Sequence, residues 1–201
     1  VPNWFYFSLN VSGKKEDVQE FVQNVRGSVE YETEGYEFDF NHFIPQPDNI
    51  FRGSLGNEEE KYCKDNGLPD WYTWNNANWG TKWNASVDES FVASDKDGFP
   101  YEHTYQMRTA WADPRPIIIK MLEMYPHLDF EINGEEESNA YGIYVSSSED
   151  VFLEEEPTLI DEDNGREVYY ERDTHTWVYM DDDSPVEDSD DFWPINKYSW
   201  Y

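Results

Sequence analysis

This sequence is poor in cysteine and in positive charge. Cys63 is the one thiol in 201 residues, with no Cys-x-x-Cys or His-Cys pattern around it, which excludes a disulfide scaffold, a dithiol redox motif and a thiolate zinc site. It reads as a small apolar residue. Lysine and arginine number 14 against 44 aspartates and glutamates, a formal charge of -30, and a surface so charged repels polyanions, so no direct nucleic-acid binding is expected. No apolar run is long enough to span a bilayer, and no basic flank with an apolar stretch marks the first residues as a signal peptide. The expectation is a soluble cytoplasmic protein without membrane contact. The glycosylation-like triplets at Asn10 and Asn84 then read as chance matches.

Catalytic signatures are also missing. There is no G-x-S-x-G, no phosphate-cradling glycine loop and no H-E-x-x-H, and His42, His103, His127 and His175 stand in unrelated contexts. Neither an enzyme nor a cofactor is expected. Asp161-Glu162-Asp163-Asn164-Gly165 starts like a calcium loop, but Arg166 and Arg172 stand where such a loop needs glycine and its closing glutamate. A hairpin turn accounts for it better.

Aromatic residues are abundant: 18% of the chain, with nine tryptophans. Four of the nine lie in Trp71 to Ala85, WYTWNNANWGTKWNA. Its second half mixes large rings, short amides and one glycine in a pattern that neither helix nor strand period explains. We expect a buried knot in which the rings supply apolar area, Asn78 and Asn84 bond backbone groups that irregular chain leaves unpaired, and Gly80 permits a turn. The alternative is that the rings stack bases or sugars while Lys82 touches a phosphate.

Along the chain, Asn3 to Val11 reads as a strand, and Lys14 to Arg26 as a helix with Val18, Phe21, Val22 and Val25 inward. From Val29 to Phe40 the pattern alternates with period two and changes parity at Gly35, which implies a bulge or a tight turn and one face of carboxylates. A proline-rich loop follows, then a short exposed helix from Leu55 to Asn66 closed at Gly67, and a helical turn carrying Trp71 and Trp74. Ser86 to Ala93 and Tyr101 to Trp111 read as strands, Pro114 to Tyr125 as a helix and His127 to Asn133 as a strand. This order is the split βαβ, ferredoxin-like α+β arrangement, an antiparallel sheet with two helices.

The stretches PNWFYFSLNVSG, FDFNHFIPQP, WYTWNNANWGTKWNA and TAWADPRPIIIKMLEMYPHLDFEI, in this order over about the first 145 residues, resemble the YubB-like proteins of phages and plasmids. The resemblance implies a ferredoxin-like domain over residues 1–145 and a mobile-element origin, hence a bacterial host cytoplasm. It carries no catalytic residue across.

Residues 146–201 read as an acidic β-hairpin extension packing on that domain. Between Glu131 and Asp191 there are 22 acidic residues against Arg166 and Arg172 alone. Strands are expected near Tyr141 to Val145, Val151 to Leu153, Glu167 to Tyr170 and Thr174 to Met180, with Asn164-Gly165 turning a hairpin and Phe192 to Tyr201 packing back. Thirty excess charges match roughly 15 base pairs of duplex DNA, and strands hold their side chains at fixed intervals. The expectation is a DNA mimic from a mobile element that blocks the nucleic-acid site of a host restriction or CRISPR complex. The partner-binding candidates are Glu30, Glu32, Glu34, Glu135, Glu136, Glu137, Glu154, Glu155, Glu156, Asp161, Glu162, Asp163, Asp181, Asp182, Asp183, Glu187, Asp188, Asp190 and Asp191. The alternatives are a protein-binding adaptor whose acidity only keeps it soluble, and an RNA-binding domain, which the charge disfavours. Oligomeric state stays open.

Overall fold

The computed structural model describes residues 3–27, 36–137, 141–155, 159–161, 163–171, 176–186 and 195–196. Strand β1 (Trp4–Gly13) alternates without interruption: Phe5, Phe7, Leu9 and Val11 are buried, while Trp4, Tyr6, Ser8, Asn10 and Ser12 face the other side. Helix α1 (Lys15–Asn24) carries Glu16 and Asp17 in its first turn, where the dipole favours acids, and buries Val18, Phe21 and Val22. Val25, just past its end, is buried as well.

The alternation read across Tyr36, Phe38 and Phe40 does not make a strand there. Residues 36–39 form a bend, and Phe40–His42 a single 3₁₀ turn that Asp39 caps by accepting the Asn41 N–H. Asp39, expected on an exposed carboxylate face, is 8% exposed. Its Oδ1 takes three donors, the Asn41 backbone and side-chain amides and the Asn84 amide, at 2.9, 2.9 and 2.7 Å. Local capping overrides the period-two pattern. The first part of that pattern, with its Gly35 turn, lies outside the described residues.

Helix α2 (Asn57–Asn66) ends at Gly67 in the left-handed region, φ 64°, and buries only Cys63. Helix α3 (Trp71–Asn78) starts at Asp70, whose Oδ1 accepts the Thr73 N–H at 2.8 Å. Asp70→Ala is expected to lower stability by about 1 kcal/mol, read as a shifted urea midpoint at unchanged slope.

Strands β2 (Ser86–Ser94) and β3 (Tyr101–Ala110), helix α4 (Arg115–Met124) and strand β4 (Asp129–Glu136) complete the split βαβ unit. Strands β5 (Gly142–Ser146) and β6 (Val151–Glu155) extend its sheet, whose order is β2-β3-β1-β4-β5-β6, antiparallel at every described pairing. Within the split βαβ unit β1 and β3 are the inner strands, each followed by a helix, and β2 and β4 flank them. The boundary expected at 145 falls inside this sheet, since β5 pairs with both β4 and β6.

A second sheet of order β10-β7-β8-β9 holds β7 (Leu159–Ile160), β8 (Glu167–Glu171), β9 (Thr176–Tyr179) and β10 (Ile195–Asn196). Leu159 pairs with Val168 across the Asn164-Gly165 turn, the hairpin read from sequence. Of the C-terminal stretch expected to pack back, β10 pairs with β7, and the rest lies outside the described residues.

A cluster on the inner face of the first sheet forms its core. The inward residues of β1, β3 and β4, Val18 and Phe21 of α1, Ile117, Ile118 and Met121 of α4, and the knot residues Phe38, Phe40 and Trp79 all belong to it. Trp79 is 2% exposed; its indole N–H donates to Ile44 O at 2.8 Å and its ring meets Phe40 and Trp74 edge-on, both at 5.6 Å. Asn84 Oδ1 accepts the Phe40 and Ala85 N–H groups at 2.9 and 3.0 Å. Gly80 sits at φ 79°, and a side chain there would press Pro116 Cδ at 3.1 Å and Asp113 O at 3.3 Å. Trp79 and Ala85 plug the core, whereas Tyr72 and Trp83 of the same stretch, expected to be buried with it, are each 38% exposed. Asn78 bonds Trp74 O from within α3, so its contribution is local, whereas Asn84 joins distant segments.

Candidate acidic interface

The strand pairings set the acidic side chains in rows, because partners opposite each other in an antiparallel pair share a face. On the face of the first sheet turned away from the core, Ser12 of β1 stands between Glu102 of β3 and Asp129 of β4. One row on, Asn10 stands between Thr104 and Glu131; beyond it Ser8 lies between Gln106, itself opposite Glu89 of β2, and Asn133. Tyr6 follows, between Arg108 and Glu135. Glu89, Asp129 and Glu131 are exposed, and Glu102 and Glu135 half-buried.

The face is therefore a neutral strip along β1 with carboxylates on both sides. Glu102 and Asp129 flank Ser12 across two strand spacings, roughly 10 Å, and Asp129 and Glu131 lie about 7 Å apart along one strand. Sequence reasoning missed Glu89, Glu102, Asp129 and Glu131. Period-two spacing was present around Asp129 and Glu131, but with 44 acids only strand pairing shows which ones converge.

The predicted candidates are dispersed. Glu135, Glu136 and Glu137 follow the alternation of β4: Glu135 joins the outer face, Glu136 is turned inward at 4% exposed, and Glu137 accepts the Trp4 N–H at 2.8 Å. Asp161 is 5% exposed and takes the Asp163 N–H, the Asn164 amide and the Tyr179 hydroxyl at 3.0, 2.7 and 2.7 Å. That carboxylate holds the hairpin turn, and burial removes it and Glu136 from any presented row. The bond to Asp161 in turn raises the Tyr179 pKa.

Asp163, Asp181, Asp182 and Asp183 are exposed. Arg166 draws two of them together, pairing with Asp181 and, at 3.0 Å, with Asp182. The Ser184 hydroxyl and N–H, and then Arg166, hold the Asp182 carboxyl below its usual range. Glu154 and Glu155 lie in β6. Glu30, Glu32, Glu34, Glu156, Glu162, Glu187, Asp188, Asp190 and Asp191 fall outside the described residues.

The other candidate from the sequence, Lys82 among aromatic rings, is built differently from a phosphate site. Its ammonium lies 4.6, 5.0 and 5.8 Å from the ring centres of Trp83, Trp111 and Tyr72. A base stacking there would compete with the protein's own lysine for those rings. No group of three His, Cys, Asp or Glu among the described residues could hold a metal ion, and no described helix is long and apolar enough to cross a membrane.

The topology and its helices define a ferredoxin-like α+β protein. Residues 78–180 match the family described as the ferredoxin-like domain in Api92-like protein, and the chain belongs to that family. Neither the curated proteins nor the solved structures contain a match.

Proposed function

We propose that the protein is a non-enzymatic DNA mimic, carried by a phage or plasmid of the YubB-like kind, that occupies the nucleic-acid-binding site of a host defence complex of restriction or CRISPR type. The observation that carries this reading is the carboxylate arrangement on the first sheet: Glu89, Glu102, Asp129 and Glu131 are fixed by strand register. Carboxylates carried on paired strands need no backbone ordering on binding, whereas a flexible acidic tail must be ordered. The net charge steers the protein toward basic clefts in the bacterial cytoplasm. The mechanism is competitive occupancy without catalysis, cofactor or metal.

A second reading, an adaptor that joins a partner through sheet edges, has its own support. Edge strand β6 exposes Phe152 and Leu153, and edge strand β2 exposes Phe91 and Val92. The two readings separate by salt. Tagged protein is used to capture partners from lysates of defence-proficient bacteria, eluted first with a salt gradient and then with excess duplex DNA. Mimicry predicts a nucleic-acid-binding partner released by DNA, with affinity falling more than tenfold between about 0.1 and 0.5 M salt. Partners that persist in high salt and ignore DNA would sink mimicry and favour the edges.

A further inference from the structure

We infer that Lys82 and the rings around it form a docking site for the carboxylate of an acidic side chain on a partner protein. Five cations among the described residues lie over aromatic rings. Four of them also hold a carboxylate within 3.4 Å: Lys15 with Asp95, Arg108 with Asp88, Arg115 with Asp113, and Arg166 with Asp181 and Asp182. Lys82 is the exception, in a chain with 44 acids. Its ammonium has the rings of Trp83, Trp111 and Tyr72 but no carboxylate, and its three N–H donors meet no acceptor among the described residues. The anion is the part of the arrangement left for a partner to bring.

The site reaches the surface: Lys82 is half-buried, and Tyr72, Trp83 and Trp111 are exposed. Trp111 adds a second, independent sign. Its backbone lies in the left-handed region, φ 75°, a strained conformation for a bulky side chain. Burial does not account for it, since the residue is 41% exposed. What the conformation accomplishes is to set the ring 5.0 Å from the Lys82 ammonium, and strained residues of this kind gather at ligand clamps. Tryptophan and tyrosine around a charge are also what binding centres are made of. They keep water from an ion pair formed among them and so strengthen it.

The surroundings fix the class of occupant. Trp4, on the outer face of β1, lies 6.1 Å from Trp83, so the site adjoins one end of the strip that the carboxylates flank. From Asn10, beside Glu131, back to Trp4 the strand runs about 20 Å. A partner lying along the strip therefore turns basic groups toward Glu89, Glu102, Asp129 and Glu131 and one acid toward Lys82. A nucleic acid or a polyacidic segment would be repelled by the same rows. The occupant is a single aspartate or glutamate set in a basic protein surface. Its carboxylate leaves the rings to the lysine, where a stacking base would compete for them. This inference deepens the mimic reading and rests on it for the partner's identity, but not for the chemistry of the site.

The test titrates the full chain by calorimetry, at about 0.15 M salt, with two peptides blocked at both ends. Each has a hexa-arginine run for the acidic rows and an eight-residue Gly-Ser linker, about 26–29 Å when extended. One ends in Phe-Glu-Phe and the other in Phe-Gln-Phe. Plain charge attraction favours the glutamine peptide, which lacks the negative charge; a carboxylate site at Lys82 reverses the order. The glutamate peptide is expected to bind about threefold more tightly, the size of a well-formed exposed ion pair. Lys82→Met, which keeps the stem without the charge, should bring the ratio to one or below, and Lys82→Gln serves if circular dichroism shows that variant misfolded. Trp111→Gly removes the ring and relieves the left-handed backbone, so the ratio should fall toward one with the melting temperature not lowered. A glutamine peptide that binds as tightly or more tightly, a ratio unmoved by the folded Lys82 variant, or no binding of either peptide would overturn the site. A Trp111→Gly chain that melts earlier and keeps the ratio would overturn the part given to that ring. Glutamate preference with no DNA-releasable partner keeps the site and removes the mimic; a DNA-releasable partner with glutamine preference does the reverse.

Discussion

Replacing Trp79 with alanine is expected to destabilise the fold by about 3–5 kcal/mol. The side chain is all but fully buried and lies where three segments meet. Its loss opens a cavity among Phe40, Trp74 and the Ile44 backbone, and leaves the Ile44 carbonyl without the indole donor it has at 2.8 Å. The neighbours cannot close in easily: Phe40 is held by the Asn84 bond and the 3₁₀ turn, and Trp74 by α3. Phenylalanine would recover much of the volume but not the hydrogen bond, so Trp79→Phe should cost about 1–2 kcal/mol. Urea denaturation followed by circular dichroism measures both. A Trp79→Ala loss under about 1 kcal/mol would mean that the plug is peripheral.

Asn84→Ala is expected to cost about 2–4 kcal/mol, although it removes only a small side chain. The amide oxygen accepts from two backbone N–H groups and the amide nitrogen donates to Asp39. Truncation strands two donors and takes one of three hydrogen bonds from a buried carboxylate, and each stranded donor carries a penalty of about 1–3 kcal/mol unless water reaches it. Asn84→Asp separates geometry from charge. It keeps the acceptor but places a second carboxylate 2.7 Å from Asp39, so its deficit should shrink as pH falls and one of the two acids takes a proton. Stability measured at pH 7 and pH 5 reads this: a deficit equal at both values would mean that like-charge repulsion is absent.

The fold was legible wherever period, cap and punctuation agreed. Val18, Phe21 and Val22 placed α1, Gly67 and Asp70 bounded the next two helices, and the strand and helix order gave the split βαβ topology. Composition alone identified the knot, since rings and amides around Gly80 suit few roles other than a hydrogen-bonded plug. The misreading at Tyr36 to Phe40 has a definite cause. Period two is a weak signal over three residues, and Asp39 had a capping role that its charge concealed. The interface was harder to read. In a chain so acidic, runs such as Glu135 to Glu137 stand out in the sequence but alternate in space, one outward and the next buried. The acids that share a face, Glu102 with Asp129 for example, are 27 positions apart and meet only through Ser12. Nonlocal pairing is what one sequence does not display.

The central place of β1 also has a consequence for how the chain is made. β1 leaves the ribosome before any strand it pairs with, and its nearest pairing partner in sequence is β3, with Gly13 opposite Tyr101. At about 5–20 residues per second, this aromatic strand waits roughly 5–20 seconds for a neighbour. Such long-range closure makes for slow folding and a window of exposure to aggregation. During that window the negative charge that shapes the finished surface also keeps unfinished chains apart.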